Sequence, residues 1–407
     1  MIFKKIITVF VIFTFFLSGC ATHTRTTSTV GPQLSSSYSK TVNNQPVTPT
    51  PLLEVIIPVF DPGLPESEED AKEVWPELRR AEANRFALKM KEALEATGKF
   101  GAVRVTPDGT ATGDLYILGR IEASNGQEVA MEIEVVDISG KRWLEKSFEH
   151  EVSPEFHRDQ RNKGMDPYDP LFEKAAVKIV EELNDHSLKE LEDLQYIADL
   201  RFGTNFSEET FMQYMETKRN TFSLVSKPSD NDPMLARVKA IRVRDQLFID
   251  SLQDNYASFS GQMNESYLMW QEQSLFETQA ARAAKRKSMG QALGGVILIG
   301  LAVLAGVSGS NSNSTGASAA GATGAILGGL AGASLLSKSF KTSEEAKVHR
   351  DALNELGQSI DMELSPRVIA FEKQSVELTG DAREQFAQWR EFLQKIYAEE
   401  QTPDVQL

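Results

Sequence analysis

From Ser288 to Ser337 the chain carries no charged residue, and these 50 positions hold 12 of its 27 glycines. No other feature restricts the fold as strongly. The first arm, residues 289–309, reads MGQALGGVILIGLAVLAGVSG. A polar joint, SNSNST, follows, and a second arm runs from Gly316 to Leu336. Each arm is close to the roughly 20 residues that cross a ~30 Å hydrocarbon core. Gly316, Ala320, Gly324, Gly328 and Gly332 recur every four residues, and Gly290, Gly294, Ala302 and Gly306 keep the same spacing. Small residues at i and i+4 cut a groove along a helix, so a second backbone can approach closely. Glycine costs about 1 kcal/mol per helical position relative to alanine. Close packing has to offset that cost.

This row resembles the glycine zippers of several envelope proteins. It implies a helical hairpin over 288–337, packed or oligomerised through Gly290, Gly294, Gly306, Gly316, Gly324, Gly328 and Gly332. Two environments fit. In a bilayer, Lys285, Arg286 and Lys287 share one headgroup surface with Lys338 and Lys341. In protein, the hairpin is buried within the helical part of the chain or in an oligomer.

The N-terminus supplies a second membrane signal. Lys4 and Lys5 precede an apolar run, Ile6 to Leu17, of secretory-signal length. The run ends in Leu17-Ser18-Gly19-Cys20, which resembles the lipobox of bacterial lipoproteins. The resemblance implies cleavage of residues 1–19, a diacylglycerol thioether on Cys20 and acylation of the new amine, palmitate being a typical acyl group. Several acyl chains anchor stably where one is marginal. Ala21, a non-Asp residue after the cysteine, resembles the outer-membrane sorting class. The competing reading is a plain N-terminal transmembrane helix that contains a cysteine. Cys20 is the only cysteine, so an internal disulfide or a multi-thiolate zinc site is excluded. The formal net charge is −15, and −17 once Lys4 and Lys5 leave with the signal. That argues against a nucleic-acid partner, which requires a basic face.

Residues 20–51 are rich in Thr, Ser, Pro and Asn and read as a disordered tether. An α/β domain is expected over 52–185. LLEVIIPVF is a buried-strand run closed by Asp61-Pro62-Gly63. A helix from Pro76 to Thr97 carries Leu78, Ala81, Phe86, Met90 and Leu94 on one stripe, with Gly98 at the C-cap. AVRV is a short strand. DLYILGRIEA, EVAMEIEVVDI and KRWLEKSFEHEV are three more, joined at Asn125-Gly126 and Ser139-Gly140. A helix from about Tyr168 to Leu183 closes a β-α-β-β-β-β-α unit. The order, with EVIIPVF, GDLYILGRI and IEVVDISGKRW, resembles the periplasmic domain shared by penicillin-binding-protein activator lipoproteins, the curli secretion lipoprotein and the N-terminal part of TolB. The long amphipathic hairpins of the curli pore are absent from the pattern, so that activity is not implied.

From Ser187 onward the pattern is almost wholly helical, which makes the fold class α+β. A stalk is expected over 186–287. Asp232 fits an N-cap and Pro233 fits N1. The stripe Met234, Val238, Ile241, Phe248, Leu252, Tyr256, Phe259, Met263, Tyr267 and Trp270 keeps to one side for about ten turns. Such a stripe needs a partner helix, in cis or from another copy. Residues 338–407 form a C-terminal helical segment. A helix starts at Ser343-Glu344-Glu345, Ser365-Pro366 interrupts it, and residues 376–380 are a loop or short strand. A last helix, Asp381 to Glu399, carries Phe386, Trp389, Phe392, Leu393 and Ile396.

No motif of catalysis emerges: there is no GxSxG, no P-loop lysine and no GxGxxG after a strand. His150 and His157, with Glu149, Glu151 and Asp159, form the one cluster that merits a test as a metal site, and their spacing fits no compact motif. No catalytic, cofactor or metal residue is assigned. The expectation is a non-catalytic lipoprotein of the outer membrane, facing the periplasm. It binds a protein or glycan partner and self-assembles as a homo-oligomer. The alternative is an oligomeric pore or export component.

Overall fold

The computed structural model describes residues 51–65, 74–229, 231–292, 344–371 and 374–400. Its first element, β1 (Val55–Pro58), is buried at all four positions. That burial explains the unbroken apolar run, because a strand covered on both faces has no polar side. Helix α1 (Pro76–Thr97) makes the crossover to β2 (Val103–Thr106), which pairs parallel with β1, Val55 opposite Val103. Gly98 ends α1 in the left-handed region at φ 62°, as a C-cap glycine does.

Strand β3 (Leu115–Ser124) lies on the other side of β1, also parallel to it. It continues as an antiparallel meander into β4 (Glu128–Asp137) and β5 (Arg142–Glu151), giving the sheet order β2-β1-β3-β4-β5. Side chains set both turns. Asn125 Oδ1 accepts from the amides of Gln127 and Glu128. Asp137 Oδ1 accepts from the Ser139 amide and hydroxyl and from the Lys141 amide. Gly126 and Gly140 take φ of 81° and 90°, which other residues rarely adopt. Helices α1 and α2 (Asp169–Asn184) cover one face, with Phe86 edge-on to Tyr168 and Phe172.

Helix α3 (Leu188–Thr204) opens with a capping box, Ser187 and Glu190 each bonding the other's backbone N–H. A short α4 (Glu208–Met212) follows. The region beyond Ser187 is less uniformly helical than its pattern suggests. Strands β6 (Met215–Lys218) and β7 (Thr221–Leu224) form a hairpin, as do β8 (Arg367–Phe371) and β9 (Gln374–Leu378). The first hairpin turns at Arg219 and Asn220, φ 50° and 65°. No glycine marks that turn, so the usual hairpin signal is missing from the sequence. Its place is fixed from outside: the Phe222 amide donates to the Ser139 carbonyl, and the Arg201 guanidinium lies over the Phe222 ring.

Helix α5 (Pro233–Ala292) is 60 residues long, about 90 Å at 1.5 Å per residue. Asp232 Oδ1 caps it by accepting from the Met234 and Leu235 amides. Its stripe from Val238 to Trp270 is buried, and Met234 is partly buried beside it. The partner is in cis. The chain after residue 343 runs back along α5: helix α6 (Glu344–Leu356) is held by Ser266 Oγ and His349 Nδ1 at 2.9 Å. Arg367 then reaches Ser251 at 2.9 Å. Helix α7 (Ala382–Glu400) places Trp389 on Asp245 and Tyr397 at Arg237. Partner numbers rise as α5 numbers fall, so the return is antiparallel.

The described residues belong to one compact unit, Pro51–Leu407. Residues 52–185 and the helices after 185 therefore share a core, although composition changes at that point. The protein is α+β, with a small sheet region and a long helix. Among the described residues no helix is long and apolar enough to cross a membrane.

Candidate functional site

The groups with the most chemistry lie where α5 meets the sheet region, and they form two buried polar clusters. The first is built on α1. Glu82 and Arg85 fall in phase with the apolar stripe of that helix, so both point into the core, 0% and 2% exposed. Arg85 Nη2 lies 2.8 Å from Asp166 Oδ2, and its Nε donates to the same oxygen at 3.2 Å. The guanidinium also reaches Ser260 Oγ at 3.1 Å and Asn264 Oδ1 at 2.9 Å, both on α5, and sits over the Tyr267 ring. Asp166 Oδ1 accepts from Gln271 Nε2 and from the Tyr168 amide, each at 3.0 Å. Burial pushes the Asp166 carboxyl up, but Arg85, Gln271 and the Tyr168 amide outweigh it and hold it below the usual carboxylate range.

Glu82 Oε1 accepts from Ser124 Oγ at 2.5 Å and Tyr267 Oη at 2.7 Å. Its Oε2 is buried with no hydrogen-bond partner, and Arg79 Nε stands 3.4 Å away. Burial raises the Glu82 carboxyl above its ordinary value despite Arg79, Ser124 and Tyr267. Tyr168 Oη accepts from the Gly126 amide at 2.7 Å. A side chain at Gly126 would run into Ser274 and the α5 backbone. The β3–β4 turn is therefore pressed directly onto α5.

The second cluster lies at the opposite end of the sheet. Arg242 bridges Asp199 Oδ1 at 2.5 Å and Glu54 Oε2 at 2.9 Å, with Asp114 Oδ1 at 3.7 Å. Asp114 Oδ2 accepts from the Glu54 amide at 2.8 Å. Burial pushes the Asp114 carboxyl up to about 6, with Arg242 pulling the other way. Arg104 on β2 pairs with Asp250 at 2.6 Å. Beside it the Gln253 amide binds both backbone groups of Val105: Oε1 accepts its N–H at 3.0 Å and Nε2 donates to its C=O at 2.9 Å. A side-chain amide thus closes the β2 edge of the sheet.

Chemically, these clusters are clamps. Each buried cation faces carboxylates or amides from a different element, which specifies one docking of α5. Any docking that separated such a pair would leave a desolvated charge without its partner. The Ser266–His349 contact joins a hydroxyl to an imidazole, but among the described residues no carboxylate bonds the other ring nitrogen. It lacks the orienting group that a nucleophile–base pair uses.

The structure does not gather His150, His157 and the neighbouring carboxylates: among the described residues no three His, Cys, Asp or Glu could hold a metal ion. His150 sits on β5 opposite Val129, and His157 in a short 3₁₀ turn. Gly290 falls in the last turns of α5. Cys20, Gly294, Gly306, Gly316, Gly324, Gly328 and Gly332 lie outside the described residues. Sequence reading missed the clamp residues Glu82, Arg85, Asp166, Arg242 and Gln253. The available signal was phase: Arg242 follows Ile241, and Glu82 and Arg85 alternate with Ala81 and Phe86, so charges stand on the buried side of each helix.

Comparison with protein families, with characterised proteins and with solved structures finds no match to this chain.

Proposed function

We propose that the protein is a non-catalytic lipoprotein of the cell envelope. In this reading Cys20 anchors it in the outer membrane, facing the periplasm, and the folded body binds a protein or glycan partner. Residues 288–337 form a glycine-zipper helical hairpin through which copies self-assemble. One observation carries the reading. Helices α5 and α6 are antiparallel and joined at Ser266 and His349, and between them they bracket the uncharged segment. A segment that leaves and re-enters through adjacent antiparallel helices has the connectivity of a hairpin. The lipobox resemblance and the four-residue glycine row supply the anchor and the packing surface.

The test is processing and assembly in cells. Cys20→Ser removes the only acceptor thiol, so palmitate labelling should vanish and the signal should stay attached. Normal processing of that variant rejects the lipoprotein reading. A pore is the second reading, favoured by two arms that are each of bilayer length. Modest oligomers that leave liposomes sealed support the first reading. A ring of fixed size that releases trapped dye supports the second.

A further inference from the structure

The two edges of the main sheet are treated differently. The β2 edge is closed by Gln253, as described above. Strand β5, ten residues long, is the other edge. Its backbone register shows which groups are free. The Val152 amide donates to the Gln127 carbonyl at 2.7 Å, and the ladder continues through Phe148 opposite Met131 and Leu144 opposite Val135. In an antiparallel pair, residues with both backbone groups turned to the partner alternate with residues turned away. Leu144, Lys146, Phe148 and His150 therefore face β4. Glu145, Ser147 and Glu149 turn their N–H and C=O groups outward. All three are exposed, and among the described residues no backbone hydrogen bond reaches them. Such an edge is a template for strand addition.

Charge decides what can add. A second copy, paired about a two-fold axis through these outward groups, meets like charges in each near register. Ser147 opposite itself sets Glu145 against Glu149. A shift one way sets Lys146 against itself, and a shift the other way sets Glu145 against Glu151. Directly opposed like charges destabilise a strand pair. The neighbouring strand deepens the negative field, since Glu145 lies opposite Glu134 and Ser147 opposite Glu132. The basic groups nearby already have partners: Glu134 and Glu145 engage Arg142, Arg120 lies opposite Glu132 and 3.8 Å from Asp61, and Lys146, on the other face of β5, lies over the Phe148 ring. On that face the edge of Phe148 and the aliphatic stem of Lys146, whose ammonium lies over the Phe148 ring, would meet the alternate side chains of an added strand.

We infer that the open edge of β5 is a docking site for an extended polypeptide segment of a partner protein, added antiparallel as a sixth strand. It carries Lys or Arg at two positions four residues apart, opposite Glu145 and Glu149, with apolar residues at the alternate positions. This deepens the partner-binding part of the proposed function and is independent of the anchor and the hairpin, so failure here leaves the Cys20 and assembly tests unaffected.

The test uses the full-length chain extracted in detergent and capped, fluorescent peptides read by anisotropy. The probe contains Lys-Val-Thr-Val-Lys. One control replaces both lysines by glutamate. A second keeps the lysines but methylates the backbone nitrogens of Lys, Thr and Lys, which removes the ladder donors and leaves the charge. The probe should bind at least about tenfold more tightly than either control. Ser147→Pro removes an outward N–H that β4 does not use, a position where an edge strand tolerates proline. It should lose the same factor with the circular dichroism spectrum unchanged. Glu145→Lys with Glu149→Lys should reverse the preference between the lysine and glutamate peptides. Equal binding of the methylated peptide overturns the inference, because attraction would then be purely electrostatic. So does absence of probe binding, or a dimer abolished by Ser147→Pro. If that variant fails to fold, hydrogen exchange decides: the amides of Glu145, Ser147 and Glu149 should gain protection when the probe is added to wild type, and no gain refutes strand addition.

Discussion

Replacing Arg85 by methionine should reveal how α5 is held to the sheet region. The side chain is 2% exposed and its partner Asp166 is 4% exposed. Methionine fills much of the same volume, so the main loss is electrostatic. Asp166 keeps its bonds from Gln271 and the Tyr168 amide but loses two guanidinium contacts. Removing one partner of a buried pair costs about 3–5 kcal/mol, because a desolvated charge is left behind. The pH dependence gives the sharper signature. In wild type Arg85 and the other bonds hold the Asp166 carboxyl below its ordinary value. Its contribution is therefore present above the unfolded value of 3.8 and is lost as pH falls through the folded value. In Arg85→Met burial dominates and the carboxyl rises, so the variant loses stability as pH rises. The difference between the two proteins should be about 3–5 kcal/mol at pH 7 and shrink to less than about half of that near pH 3, where a protonated Asp166 needs no cation. Urea unfolding followed by circular dichroism at both pH values measures it. A difference below about 1 kcal/mol, or one that does not change with pH, refutes the claim that this pair is a charged clamp.

Three further outcomes follow from other parts of the molecule. Asp114 is buried with its carboxyl pushed up to about 6 from 3.8, so the folded state favours its protonated form; its contribution is complete below the unfolded value and about 3 kcal/mol is lost as pH rises through about 6. In Asp114→Asn that fall should be absent from a stability–pH profile. Gly357 packs against the Glu77 backbone, where a Cβ would overlap the carbonyl, and its own carbonyl accepts from Arg80 at 2.7 Å. Gly357→Ala should therefore cost about 1–3 kcal/mol in thermal or urea unfolding, by pushing the end of α6 off α1. Gly324 and Gly328 replaced together by leucine should abolish the oligomer or the protease protection of the proposed hairpin, while the alanine pair does far less; a leucine variant that assembles like wild type shows the glycine row is not a packing surface.

Local rules made much of this architecture legible. Gly98, Asn125-Gly126, Ser139-Gly140 and Asp232-Pro233 are short-range signals, because each meets a backbone requirement that involves only its neighbours. The helical stripes from Leu78 to Leu94, Val238 to Trp270 and Phe386 to Ile396 also read directly, since burial of one side imposes the period. The β6–β7 turn at Arg219-Asn220 did not read, because its support comes from Ser139 and Arg201 in distant elements.

What the sequence by itself determined is the strands and helices of residues 52–185, the long one-sided helix and the uncharged, glycine-spaced segment. Only the tertiary structure decided that the partner of α5 lies in cis, that Glu82, Arg85, Asp166 and Arg242 serve as buried clamps, and that Gln253 bonds one sheet edge while no described residue pairs with the outer edge of β5. The physical reason is range. Capping, turn geometry and periodicity act within a few residues. A buried charge is tolerable only beside a partner that the fold brings from far along the chain: Arg85 meets Asp166 across 81 positions and Asn264 across 179.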